Sequence, residues 1–383
     1  MAGGPEGSLV IETFGSSLTP LWGLVILLLF GDGMARLLRQ VGIVRYSGRT
    51  EAAGLRILLG LAMVPLLYLV MDLASIPITR WSSTVVMLAI FGTGLLVARR
   101  ARAADWGTPA PGVHAWVDPM LLRSPAAIVL ILAIVSVVLA CTIQSSLYPT
   151  RSYDALVGWD VVGKVMAYEG KIRSSLFTNI QFNAQCAYAP FCATNQGYWY
   201  LFFPNAYQFW LPLLIAGFSL VMWSRVRRWT GSPTAAGLST FLVFLPPALT
   251  YQLTVGQTDI PVMVYTTLAF FAAAELLRGE GRVSTVAFYA LIATIARSEG
   301  VLFALALTVV GILLDRSRRW RWLWITAVSV AFFALWNLFV MRFLIGYDPG
   351  QYFRRTLDFD PARMVEVVRA SSMEAGSPRR RRK

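Results

Sequence analysis

The sequence predicts an all-α polytopic membrane protein of about ten transmembrane helices, with a long extracytoplasmic loop carrying short helices. Three observations predict it. Hydrophobic residues fill 56% of the 383 positions and charged ones only 14%, with a mean hydropathy of +0.59. A soluble domain cannot hide that much apolar surface. The apolar residues also fall into runs approaching the ~20 residues that a helix needs to cross a hydrocarbon core ~30 Å thick. Finally, arginines gather in short clusters between those runs.

The first run, 18–34, is followed by Arg36, Arg39, Arg45 and Arg49. Runs at 55–76 and 82–98 precede Arg99, Arg100, Arg102 and Arg123, and the run at 124–147 leads into a polar loop. Beyond the loop lie 201–223, with Arg225, Arg227 and Arg228 at its end, then 234–255 and 259–277, which meets Arg278 and Arg282. The short runs 283–297 and 300–314 suit tilted helices or helices partly enclosed by others. Arg316, Arg318, Arg319 and Arg321 precede the last run, 322–345.

Because Lys and Arg stay cytoplasmic, all these loops face the cytoplasm and the N-terminus lies outside. No basic n-region or small-residue cleavage site marks a signal peptide. Ten spans starting outside leave residues 346–383 outside too, although they end SPRRRRK and read as disordered. A re-entrant short pair, a translocated tail, or further spans would each reconcile that count.

The net charge of +14 invites a nucleic-acid reading, but the basic clusters sit where orientation signals belong. One histidine, His114, and three cysteines make a Cys/His metal cage a poor fit. Cys186 and Cys192, in CAYAPFC, face an oxidising compartment on this topology, where a loop disulfide is expected. Cys141, inside a span, reads as a packed residue.

The opposite face carries the chemistry-bearing residues. The loop at 148–200 begins YPTRSYDALVGWDVVGKVMAYEGK and predicts a short helix that runs to about Tyr168 and ends at Gly170. Asp160, Lys164 and Tyr168, spaced four apart, share one face. Asp160 and Lys164 serve either as a helix ion pair worth a few tenths of a kcal/mol or as part of a site. Asp154 falls about 1.7 turns earlier, in the turn before the helix, flanked by Tyr153 and Trp159 at interface depth.

Asp259, in TVGQTDIPVMVYTTLAFF, is an N-cap ahead of Ile260 and Pro261, a contact for a polar ligand, or both. Arg297, Ser298 and Glu299 interrupt the apolar ATIARSEGVLFALAL. Charges facing lipid are expensive, so these residues mark a cavity or a tight interfacial turn, and a guanidinium fork matches phosphate oxygens. The run NQGYWYLFFPNAYQFW (195–210) reads as an interfacial aromatic belt leading into the fifth span. Within it, Asn205, Tyr207 and Gln208 are available to line a sugar or headgroup site.

Four blocks in order, YDALVGWDVVGKVMAYEG, FFPNAYQFWLPLL, GQTDIP and RSEG, resemble the membrane-embedded C-type glycosyltransferase superfamily. In particular they resemble the bacterial branch similar to lipid-A aminoarabinose transferase and protein mannosyltransferases. The resemblance spans roughly residues 124–345. It implies a catalytic transmembrane region (124–345), which the apolar runs place after a three-span N-terminal region (1–123) and before a basic tail (346–383).

It also implies a polyprenyl-phosphate sugar donor, transfer to a glycan, lipid or protein acceptor on the extracytoplasmic face, and location in a bacterial plasma membrane. The general base would be Asp154 or Asp160, with Asp154 favoured. Lys164 and Arg297 would hold the donor phosphate. Asp259, Glu299, Asn205 and Tyr207 would contact substrate. A divalent metal (Mg or Mn) on Asp154 and Asp160 is compatible with the chemistry but not demanded by it.

The alternatives are a transporter or flippase for lipid-linked sugars, and a glycan polymerase or ligase. The first should show paired broken helices in two related halves, and no such repeat is evident. The second usually relies on arginine-rich outer loops, whereas this loop holds only Arg151 and Arg173.

Overall fold

The computed structural model describes residues 6–102, 124–147, 158–173, 191–203, 208–246, 251–253 and 258–336. Among them the regular elements are helical: α1 (Glu6–Gln40), α2 (Arg49–Leu73), α3 (Arg80–Arg102), α4 (Pro125–Leu147), α5 (Asp160–Glu169) and α6 (Phe191–Phe202). Then follow α7 (Trp210–Thr230), α8 (Pro233–Leu242), α9 (Asp259–Leu277), α10 (Val283–Ala296), α11 (Gly300–Leu314) and, after a 3₁₀ turn at Arg316–Arg318, α12 (Arg319–Ala334).

Every one of the ten predicted apolar runs contains a helix. Among the described residues, five helical stretches are long and apolar enough to cross a membrane: Thr19–Gln40, Arg49–Leu73, Arg80–Ala101, Pro125–Ser146 and Asp259–Leu277. The short helix α10 is enclosed by its neighbours along most of its length.

The arginine loops meet at one end of the bundle. Glu51, at the start of α2, accepts from Arg225 Nε (2.9 Å) and Arg228 Nη1 (3.2 Å) at the end of α7. Arg228 also pairs with Glu275, in the last turn of α9. Thr285, opening α10, donates to the Ile43 carbonyl (2.6 Å), and Arg45 donates to the Glu280 carbonyl (3.2 Å).

The turn between α2 and α3 lies at the other end, where Ile78 N donates to Gly170 O (2.6 Å) and Asp72 is held by Arg173 Nε (3.1 Å). The loop after α5 is therefore fastened to the end away from the arginines.

Two predicted spans need correcting. The fifth starts at Trp210, not at residue 201. The sixth, read as 234–255, is broken: α8 ends at Leu242, a turn follows, and helix reappears at 251–253. The ten residues of α8 rise about 15 Å, half of a hydrocarbon core. Pro246 and Pro247 follow, and residues before proline are driven out of the α conformation.

The third correction matters most for function. The aromatic run does not form an interfacial belt. Its first part is α6, in which every residue from Phe191 to Phe202 is buried. This helix packs against α1, α2, α5, α7 and α10.

The reason lies partly in α2. Pro65 has no N–H, so the Leu61 carbonyl one turn earlier loses its helical partner. Asn195 Nδ2 donates to that carbonyl at 3.1 Å, and to Phe191 O at 2.9 Å. Tyr198 donates to Gly23 O in α1 (2.6 Å), and Trp210 Nε1 donates to Gln196 Oε1 (3.0 Å). Asn195 Nδ2, Gln196 Oε1 and the Tyr198 hydroxyl thus enter the bundle with partners, as burial in a low-dielectric interior favours. Among the described residues Asn195 Oδ1 and Trp199 Nε1 have none.

Asn195→Ala is expected to lower stability by about 1–3 kcal/mol, the cost of stranding a buried carbonyl. Thermal denaturation in detergent checks this. The loss should shrink in a Pro65→Ala background, where a restored N–H serves Leu61. An equal loss in both backgrounds rules the explanation out.

Candidate functional site

Two ion-paired clusters occupy the end of the bundle opposite the arginine loops. The first joins α9 to the turn between α10 and α11. Asp259 is the first helical residue of α9, with Thr258 rather than Asp259 at the N-cap position. Pro261 fits the first turn because its missing N–H would lack a helical partner there anyway. The freed carboxylate reaches across to Arg297, and the helix N-terminus favours its negative charge.

Arg297 ends α10 in extended conformation, and its Nε pairs with Glu299 Oε1 at 3.0 Å. Ser298 donates to the other Glu299 oxygen (3.2 Å). Gly300 makes this turn possible: a Cβ there would lie 2.4 Å from the Ala293 carbonyl carbon and the Thr294 nitrogen. The side chains are open to the outside, Asp259 and Glu299 each 43% exposed and Arg297 28%. One cation between two carboxylates leaves this group with a net charge of −1. Arg297 is therefore a bridge between two acids rather than an uncommitted phosphate cation.

The second cluster joins α5 to α6. Asp160 is buried; Tyr200 donates to its Oδ1, and Lys164 Nζ stands 3.2 Å from its Oδ2. The Lys164 ammonium also lies 5.1 Å from the centroid of the Tyr200 ring, within cation–π range. The two helices touch at Gly163 and Gly197: a Cβ on Gly163 would meet Gly197 N at 3.0 Å and Ala193 O at 2.9 Å. Helix α5 ends at Gly170, as its sequence predicts. Its predicted common face rises out of the protein along its length: Asp160 is buried, Lys164 half-exposed, and Tyr168 fully outside.

Helix α6 connects the clusters. Its first residue, Phe191, packs edge-on against Tyr265 of α9 (5.8 Å between centroids) and Trp210 of α7 (6.1 Å). Next to it, burial pushes the Cys192 thiol pKa well above its ordinary value, while Asp259 raises it further and Arg297 opposes that. Cys192 is a free thiol; Cys186, its expected disulfide partner, lies outside the described residues. Tyr200, nine residues along, is about 14 Å from the start of the helix. Cys141 is buried, as expected of a packed residue.

Asp154, Asn205 and Tyr207 lie outside the described residues. Among the described residues no three His, Cys, Asp or Glu side chains gather as a metal-ligand set. With one Asp160 oxygen facing a lysine ammonium and the other taking a phenol proton, Asp160 as placed does not fit a metal ligand.

Sequence reasoning missed Tyr200, which looked like one more ring of an aromatic belt. The available signal was Pro65, whose orphaned carbonyl calls for a polar donor from another helix. No protein-family model, no curated protein and no solved structure matches this chain.

Proposed function

We propose that this protein is a multi-pass glycosyltransferase of a bacterial plasma membrane, with about ten spans, which moves a sugar from a polyprenyl-phosphate donor to an acceptor on the extracytoplasmic face. One observation carries the reading. Asp259, Arg297 and Glu299 gather at the end opposite the arginine loops, beside a buried helix whose far end holds Asp160. Partly exposed carboxylates accept hydrogen bonds from sugar hydroxyls, and the half-exposed Lys164 ammonium, held by Asp160, offers a cation to a phosphate.

The reaction is a single inverting displacement. An acceptor hydroxyl oxygen bonds to the anomeric carbon as the bond from that carbon to the phosphate oxygen breaks. The hydroxyl proton passes to a carboxylate, and polyprenyl phosphate departs with the electron pair. Asp154 is the base in this scheme, because Asp160 is buried against Tyr200 and Lys164. Lys164 offsets the charge that grows on the leaving phosphate. Arg297 keeps Asp259 and Glu299 at a fixed separation, with their remaining lone pairs turned to substrate.

The purified full chain, given radiolabelled polyprenyl-phosphate sugars and candidate acceptors, should release unlabelled polyprenyl phosphate and label the acceptor. If the chain in proteoliposomes instead moves a fluorescent lipid-linked sugar between leaflets without cleaving it, it is a flippase and this reading fails.

A further inference from the structure

Most arginines at the basic end have internal work. Arg36 and Arg56 pair with Asp32. Arg225 and Arg228 pair with Glu51 and Glu275. Arg45 and Arg282 donate to backbone carbonyls. The tip between α11 and α12 differs. Arg316, Arg318, Arg319 and Arg321 are all exposed. The one acid nearby, Asp315, is 4.0 Å from Arg318 and also accepts from Ser317 (2.7 Å). Among the described residues no carboxylate lies within ion-pair reach of Arg316, Arg319 or Arg321.

The tip is also firmly held. Trp322 is buried, and a Cβ on Gly311 would sit 2.1 Å from its ring, so the indole lies against the bare backbone of α11. Thr308 donates to the Trp322 carbonyl (2.9 Å) and shares a hydrogen bond with Thr326 (2.8 Å). Between and beyond these anchored residues, Trp320 is 70% exposed and Trp324 65% exposed. Leu313 and Leu314, which end α11, are also exposed.

We propose that this tip docks a phospholipid with an anionic headgroup in the cytoplasmic leaflet. Charge complementarity selects the occupant. Three guanidinium groups within six residues have no carboxylate partner among the described residues, Arg319 resting 5.8 Å from the Trp320 ring centroid, and they present planar forks that match phosphate oxygens. Two exposed indoles suit the depth where headgroup meets acyl chain, and the exposed leucines offer an apolar surface for the chains. A juxtamembrane basic cluster is drawn to acidic lipid by about 1 kcal/mol per residue, or roughly fivefold. The inference does not depend on the transferase reading.

The test uses the full chain in detergent micelles with equal amounts of phosphatidylglycerol and phosphatidylcholine, with bound lipid counted by native mass spectrometry. Wild type should retain phosphatidylglycerol preferentially. R316Q/R319Q/R321Q should lose that preference by on the order of a hundredfold, while R99Q/R100Q, at another exposed basic end, should keep it. Indiscriminate wild-type binding overturns the proposal, as does a triple variant that keeps its preference or an R99Q/R100Q variant that loses as much.

Glycerol phosphate, which lacks acyl chains, should compete poorly; equal competition would mean a site for free phosphate esters and overturns the lipid assignment. If the triple variant folds poorly, salt gives the same answer on wild type. At about 1 M the screening length is about 3 Å, and the preference must fall steeply.

Discussion

Arg225→Met is expected to destabilise the protein by about 3–5 kcal/mol, seen as a large drop in melting temperature in detergent. The side chains of Arg225 and Glu51 are 2% and 1% exposed, and they meet through a 2.9 Å Nε–Oε1 contact. Removing the cation leaves a carboxylate in the interior with its nearest compensation gone. Arg228 and the Ser47 backbone N–H still reach the other Glu51 oxygen, which favours the low end of the range.

Arg228→Met provides the contrast. Its side chain is 36% exposed, and pairs screened by solvent are worth about 0–1 kcal/mol. Replacing Glu51 and Arg225 together by methionine should recover much of the loss, because two well-packed apolar side chains often match a buried pair. Equal melting shifts for Arg225→Met and Arg228→Met would show that burial does not govern this network.

The same network explains why so much of the architecture was legible. Hydropathy is a local property, so each apolar run contains a helix. Arginine placement is also local, and the loops carrying Arg45, Arg228 and Arg282 do meet at one end. The grouping of Asp259 with Arg297 and Glu299 follows from strict up-and-down alternation of α9, α10 and α11.

What failed was whatever depended on a partner elsewhere in the chain. The aromatic residues of 195–202 have the same composition in a lipid interface and in a protein core. Only the α2 carbonyl freed by Pro65 distinguishes the two. Arg297 looked like a phosphate cation because its run shows one acid, Glu299, while the second, Asp259, is 38 residues away in sequence. The sixth span was read through Pro246 and Pro247, where hydropathy outweighed a backbone rule that should have prevailed.

Asp154→Asn is expected to lower the rate of sugar transfer by about 10²–10⁴-fold, with the KM for donor nearly unchanged. A general base needs a lone pair turned to the acceptor hydroxyl, and Asp160 is buried between Tyr200 and Lys164. Asp160→Asn should therefore act differently. It releases Lys164, so the KM for the lipid-phosphate donor should rise more than kcat falls. Tyr200→Phe should repeat that pattern more weakly, since it removes one contact to the carboxylate and keeps the ammonium. A pure loss of kcat in Asp160→Asn, as deep as that in Asp154→Asn, would mean that the α5–α6 cluster itself takes the proton. Full transfer by Asp154→Asn would remove the base from the scheme altogether. The two acids are six residues apart in sequence, yet one removes a proton in this scheme and the other holds a cation. Steady-state kinetics on both variants separates the roles, because loss of a base lowers kcat whereas loss of a held cation raises the KM for donor.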